Sequence, residues 1–303
     1  MKYSLVLCLG LCLLAPRVAS AHEPLWGESP QTFAFGILHP EIRFGFENDA
    51  SLIKGSHSIA NPEVLRTTRL DALFSLQYAP KTALNLKLEI PLAQVLNAQN
   101  REGQSQHTGV TGIGDVTLSA KSRFFQKFGP DWKLHQSYTV GLQLPTGTHN
   151  GRAPDGTLLS PSGQPGSGKW GYLLSYAFAY ERLQDTVWIS AVYRGDFGGA
   201  GRKGSVLELD ANYGYWVKRP KRPQDLGVIL AAGPHISVVG HDRLAGGNDP
   251  NSGLALWGVE ASIIATKDQA QFRAGFFVPL SQQVSGTQLR PDIQIRAGFE
   301  ILL

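Results

Sequence analysis

Apolar and polar residues alternate with a period of two through this chain to its last residues, and nothing else in the sequence constrains the fold so tightly. In the C-terminal segment Ile293, Ile295, Ala297, Phe299, Ile301 and Leu303 fall on one face. Asp292, Gln294, Arg296, Gly298 and Glu300 fall on the other. Successive side chains of a β-strand point to opposite sides, so this segment is a strand with one oily and one mostly wet face. The pattern recurs about a dozen times: near Glu41–Glu47, Arg66–Tyr78, Leu84–Leu92, Val116–Phe124, Trp132–Leu144 and Trp170–Tyr180, then near Thr186–Asp196, Val206–Val217, Leu226–Val239, Leu254–Ala265, Gln269–Leu280 and Leu289–Leu303.

A large soluble sandwich also alternates. Here, however, the nonpolar face is apolar in nearly every segment, and Trp and Tyr sit near the strand ends, where amphipathic rings suit a membrane interface. An open sheet in lipid would leave its edges unsatisfied, whereas a closed barrel pairs every strand. The expected fold is therefore all-β: a transmembrane antiparallel β-barrel of about 12 strands in a bacterial outer membrane, with both termini periplasmic. A barrel also reconciles membrane residence with only 42% hydrophobic residues, because its inner face is polar.

The first residues read as a secretory signal. Lys2 supplies the positive start, Leu5–Leu14 the apolar core and Ala19-Ser20-Ala21 a small-residue cleavage site. Pro16-Arg17 interrupts the apolar run too early for a membrane-spanning helix. The expected division is a signal over 1–21, a periplasmic N-terminal segment over 22–40 and the barrel over 41–303. Both cysteines, Cys8 and Cys12, fall in the signal, so the mature chain has no disulfide, thiolate chemistry or cysteine metal site. Of 28 basic residues Lys2 and Arg17 leave with the signal, so 26 remain against 24 acidic ones. That balance carries no nucleic-acid footprint.

Connections alternate in length, as short periplasmic turns and longer extracellular loops do in bacterial barrels. The short ones are Ala79-Pro80-Lys81, Phe128-Gly129-Pro130, Leu183-Gln184-Asp185, Lys218–Gln224 and Thr266-Lys267-Asp268. The long ones are Asn48–Leu65, Ala93–Gly114, Pro145–Gly168, Gly198–Gly204, Gly240–Gly253 and Ser281–Thr287. Pro145–Gly168 holds six glycines and four prolines in 24 residues, which excludes a regular element and suits a loop folded over the mouth.

Gly112-Ile113-Gly114-Asp115 does not open a helix, so it is a bend at a strand entry rather than a phosphate loop. The string from Gly112 to Gly147, GIGDVTLSAKSRFF followed by YTVGLQLPTGTHNG, resembles the outer-membrane family named for the meta-pathway of phenol degradation. The matching positions are Gly112, Gly114, Asp115, Lys121, Arg123, Leu144, Pro145, Thr146 and Gly147. The resemblance implies a barrel for passage of small hydrophobic or aromatic compounds.

Charged residues on the inner face are the candidate pore lining: Arg69, Asp71, Lys87, Glu89, Lys121, Arg123, Lys133, His135, Glu208, Asp210, Arg273 and Arg296. Both signs occur, so the lining does not select ions by charge; cross-lumen pairing that stiffens the barrel competes with a transport role. No cofactor or resident metal is expected. His22 at the mature N-terminus, with His39 and His149, has no diagnostic metal spacing, and Gly246–Asn251 lacks the acidic alternation of a calcium loop. The alternatives are a barrel enzyme acting on lipid, through Ser56-His57 or His135 with Ser137, and a structural or binding barrel, with a metal link through the amine and ring of His22 as one form of it. The expected partners are outer-membrane lipid, the barrel assembly machinery and a small-molecule cargo.

The alternation makes membrane residence testable. Native protein should require detergent for extraction and migrate differently on a gel before and after boiling; recovery from the soluble periplasmic fraction would refute it.

Overall fold

The computed structural model describes residues 23–101, 104–152 and 156–303; the expected signal, with His22, lies outside them. The strands are β1 (Leu38–Lys54), β2 (His57–Ser58), β3 (Arg66–Lys81), β4 (Leu84–Arg101), β5 (Gln104–Ile113), β6 (Thr117–Phe128), β7 (Trp132–Gln143) and β8 (Gly171–Arg182). They continue as β9 (Asp185–Asp196), β10 (Val206–Lys218), β11 (Gly227–Val239), β12 (Arg243–Leu244), β13 (Gly247–Asn248), β14 (Leu254–Lys267), β15 (Ala270–Val284) and β16 (Thr287–Ile301).

Each long strand pairs antiparallel with its neighbours in sequence, and β16 returns to pair with β1. In that closing seam Ile42 faces Phe299, Phe44 faces Ala297 and Phe46 faces Ile295. The strands β5 and β6 occupy one place in the wall. One pairs with the outer half of β4 and the other with its inner half, so the barrel has twelve strand positions. The two-residue strands β2, β12 and β13 belong to the loops.

The sidedness read from the sequence holds around the wall. Phe74, Leu86, Leu118, Val140, Tyr176, Tyr215, Phe272 and Ile295 are exposed, while Gln77, Asn85, Lys121, Ser137, Asp210 and Arg273 are buried. Exposed apolar side chains over a complete cylinder are stable only against lipid, and polar ones inside need partners. Apolar concavities lie on this outer wall: one of about 600 Å³ is bordered by Phe44, Leu70, Leu92, Ile113 and Ile295. They are grooves shaped for acyl chains, not the lumen.

Turns at the end carrying both termini are tight, two residues each between β3 and β4, β8 and β9, and β14 and β15. Three connections at the other end differ from the sequence expectation. The stretch Asn48–Leu65 begins with seven residues that continue β1 to Lys54 and stay paired with β16. The stretch Ala93–Gly114 is mostly an extension of the β4–β5 hairpin, paired in register from Leu92–Ile113 outward to Arg101–Gln104. The stretch Ser281–Thr287 narrows to Ser285-Gly286 because β15 and β16 run on past the alternating core. Polar strand ends beyond the membrane show no oily face, so alternation alone stops short of them.

The seam predicts how the fold fails. Deleting 292–303 should abolish heat-modifiable barrel, because β1 and β15 would both lose their partner strand. Replacing Ile295, exposed between Phe46 and Phe276 in the register, by Arg puts a cation on the lipid face. It should cost up to about 4 kcal/mol, depending on depth, measured as a lowered urea midpoint in vesicles.

Candidate functional site

The segment before β1 decides what the lumen can do. The sequence reading takes residues 22–40 as a periplasmic N-terminal segment; within it Glu23–Phe33 packs against inward-facing side chains of the wall, while Ala34–Gly36 is exposed at the tight-turn end. Leu25, Trp26 and Phe33 are almost fully buried. Leu25 and Trp26 pack against Leu256 of β14 and Phe277 of β15. Phe33 packs near the tight-turn end against Ala79, Ile37 and Leu302. Burying two large apolar side chains favours this placement by roughly 3–6 kcal/mol. The signal was present in the sequence: an oily Leu-Trp pair and a Phe in a stretch with no strand of its own.

Polar anchors fix the plug. The Glu28 carboxylate accepts hydrogen bonds from Thr139 (3.0 Å) and Ser175 (2.7 Å), and its backbone N–H donates to Ser190 Oγ (3.1 Å). Lys121 Nζ donates to the Ser29 carbonyl at 2.9 Å, and Phe33 N–H donates to Asn85 Oδ1. Gln31 bonds to Glu181. Gly27 sits at φ +74°, where a side chain would collide with Ser190 and Asp210, so this position needs glycine twice over. Burial pushes the Glu28 carboxyl up, but Lys121, Lys87 and the two hydroxyls outweigh it and hold it below its ordinary value. Glu23 is likewise held low against burial by Lys121, His39 and Arg273.

Below the plug tip lies a charge network across the closing seam. The Arg273 guanidinium donates to the Pro24 carbonyl (2.9 Å), to Glu300 (2.6 Å) and to Glu41. Arg43 joins Glu41 (3.1 Å) to Glu89 (3.3 Å), and Lys87 meets Glu89 at 2.6 Å. Of the sequence candidates, Lys87, Glu89, Lys121 and Arg273 are thus gathered around the plug. Arg69 pairs with Asp71 at 2.9 Å on the mouth side. Glu208 pairs with Arg194, and Asp210 with His235 at 2.6 Å. Arg296 lies over the Trp26 ring, 5.4 Å from its centroid. At the turn end Arg123 donates to the Thr82 carbonyl, and Lys133 stands in register with Glu181. His135 is buried, with Phe128 edge-on at 6.1 Å. Sequence patterning missed Glu23, Glu28, Arg43 and His235, whose roles depend on the plug or on the neighbouring strand.

At the mouth, the two family motifs clasp each other. Asp115 accepts from the N–H groups of Gly147 (2.8 Å), Ser167 (2.5 Å) and Gly168 (3.2 Å). The Thr146 hydroxyl accepts from Val116 N–H at 2.9 Å. Gly147 and Gly166 pass so closely that a side chain on either would strike the other's backbone. The described parts of the Pro145–Gly168 loop, 145–152 and 156–168, are therefore folded and pinned: Lys203 Nζ donates to the Gln164 carbonyl (2.9 Å) and Ser162 N–H to Asp242 (3.0 Å).

Neither serine–histidine pair makes a catalytic constellation. Ser56 and His57 are exposed and 3.4 Å apart. His135 Nδ1 and Ser137 Oγ have no hydrogen-bond partner among the described residues. His39 bonds to Gln77 near the turn end, and His149 to the Gly147 carbonyl at the mouth, so they do not converge on one ion.

The plug anchors carry a pH sign. A carboxylate held low in the docked state stabilises docking above its undocked value, near 4.5, and that contribution is lost as pH falls through the lowered value. In protein produced from His22 onward, which contains no cysteine, a Ser29→Cys probe should react slowly with a water-soluble maleimide at pH 7. Adding Glu28→Gln and Lys121→Met should speed labelling at least tenfold; unchanged labelling would show that these anchors do not hold the plug.

A family model described as "Putative MetA-pathway of phenol degradation" matches residues 43–289. No curated protein matches the sequence. Among solved structures, the COG4313 outer membrane channel from Pseudomonas putida F1 is similar with a TM-score of 0.65 at 14% identity, over 90% of this chain and 97% of that one. The beta domain of the Bordetella autotransporter BrkA is similar at a TM-score of 0.45 and 11% identity, over 87% of this chain and 98% of that one.

Proposed function

Because this chain belongs to the phenol-degradation family of outer-membrane barrels, we propose that it is a narrow channel for passive passage of a small hydrophobic or aromatic compound. The observation that carries this reading is the plugged lumen. A barrel whose interior is occupied by Leu25–Phe33 cannot act as a wide aqueous porin; passage requires a small solute and movement or skirting of the plug. The plug is held by hydrogen bonds and ion pairs that exchange with water, so its release needs no covalent chemistry or energy-coupling site.

The lining fits such a cargo. Trp188, Trp216, Ile229 and Ile264 form an apolar patch on the inner wall toward the turn end. Trp26 and Phe277, buried together at the plug tip, add apolar side chains that movement of the plug would uncover. Aromatic rings bind flat apolar solutes by dispersion and edge contacts, each contact worth about 0.5–1.5 kcal/mol. That is enough to favour entry and too little to trap. On the mouth side, Arg69 with Asp71 and Arg194 with Glu208 offer both signs at short range, so the vestibule favours neither anions nor cations. The seam strand β16 is the segment offered to the barrel assembly machinery, and the exposed belt is the contact with outer-membrane lipid. The prior candidates for lipid hydrolysis lack an orienting carboxylate, so the channel reading stands ahead of the enzyme reading.

Transport separates the readings. In planar bilayers the full mature protein should give small conductance with weak ion selectivity, and deletion of 24–35 should raise it several-fold. Vesicles containing the protein should admit a monoaromatic phenol faster than protein-free vesicles. Equal entry with and without the protein, for several such compounds, would remove the cargo assignment. Unchanged conductance after the deletion would remove the plug from the gate.

A further inference from the structure

We propose that Asp210, His235 and Glu260 form a binding site for one divalent transition-metal ion of the zinc class, set in the inner wall beside the plug. The three residues stand on adjacent strands β10, β11 and β14, where Asp210 is register partner of His235, and Glu260 is partner of Gly233, two residues from His235. All three side chains are buried, and Glu260 is only 1% exposed. One donor atom from each lies within 4.8 Å of the others. Donors around a tetrahedral zinc ion at about 2.0–2.2 Å lie roughly 3.4 Å apart, so small side-chain rotations bring the set onto one ion.

Three independent features point to a cation here. First, Glu260 Oε2 is buried and has no hydrogen-bond partner among the described residues, while its other oxygen accepts from Asn212. A buried carboxylate oxygen without a partner costs several kcal/mol unless a cation or proton meets it. Second, two carboxylates and one neutral imidazole around a divalent ion sum to zero charge, the arrangement that burial demands. The nearby cations are engaged elsewhere, with Arg194 on Glu208 and Arg296 over Trp26. The contrast lies at the seam, where Glu23, Glu41 and Glu300 also cluster but already surround Arg273. Third, the donors are held from behind, as metal ligands are. Ser190 Oγ donates to Asp210 Oδ2 at 3.3 Å, Asn212 donates to Glu260, and Phe277 packs its ring at 5.0 Å from His235.

Imidazole with two carboxylates suits zinc and its first-row neighbours better than magnesium or calcium, which take all-oxygen shells. Three protein ligands leave a fourth position for water. At Gly27 the plug backbone passes against Asp210 without a side chain, so the plug covers the site without filling it. The rival occupant is a proton on Glu260, with His235 and Asp210 as an ordinary ion pair.

Tag-free mature protein in detergent, stripped with chelator, should bind one Zn²⁺ per chain when titrated with the metal alone and measured by equilibrium dialysis with elemental analysis. Glu260→Gln and His235→Gln should each weaken binding at least tenfold while keeping heat-modifiable migration. Asp225→Asn, in the turn between β10 and β11 where it pairs only with Arg222 among the described residues, should bind like wild type. No stoichiometric binding by the wild-type protein means a proton is the occupant and overturns the proposal. Binding retained in both folded variants, or displacement by a tenfold excess of Mg²⁺, does so equally. The measurement involves no transport, so its failure leaves the channel reading untouched.

Discussion

Backbone hydrogen bonding in a medium without water is the constraint on which this structure rests. Every N–H and C=O inside the hydrocarbon layer must find a partner in the protein. A sheet meets that demand only by returning on itself, so the pairing of β16 with β1 is the condition for the fold. Closure then separates two environments, and the alternation of side chains follows: lipid outside tolerates Phe, Leu and Val, while the enclosed side collects polar groups. Those groups are removed from bulk water and must satisfy one another. Pairs such as Lys87 with Glu89 do this between neighbouring positions, and Arg273 does it across three chain segments.

The plug answers the same demand. A lumen lined by Asn85, Thr139, Ser175 and Ser190 offers hydrogen-bonding groups that a segment of irregular chain can use, because its own backbone is not committed to a ladder. Phe33 N–H and Glu28 N–H bond to wall side chains, and the Ser29 carbonyl accepts from Lys121. Its oily residues meet inward apolar ones, Leu256, Phe277 and Ala79. One segment thereby satisfies polar wall and apolar patches at once.

The wall was legible in the sequence because a period of two is imposed residue by residue. Strands such as Trp132–Gln143 and Asp185–Asp196 emerge almost where alternation puts them. The ends were less legible: beyond the lipid the outer face turns polar, so the β4–β5 extension and the tight Ser285-Gly286 turn look like loops. The lumen side chains could be assigned a face but not a partner. Asp210 meets His235, 25 positions away, only because β10 and β11 share that register. The position of Glu23–Phe33 was least legible, since no periodicity tells whether an irregular segment lies inside or outside a closed wall. The glycines and Asp115 of the motif carried more than a bend: they build the mouth clasp with Thr146 and Gly147.

The arrangement around Arg273 has a consequence for the cooperativity of the fold. This one guanidinium, on the penultimate strand, holds Glu41 of the first strand, Glu300 of the last and the Pro24 carbonyl of the plug. The segment ahead of β1 is thus fastened by the same group that ties the two ends of the sheet. Closing the hoop and seating the leading segment are therefore coupled through one guanidinium, and each raises the stability of the other.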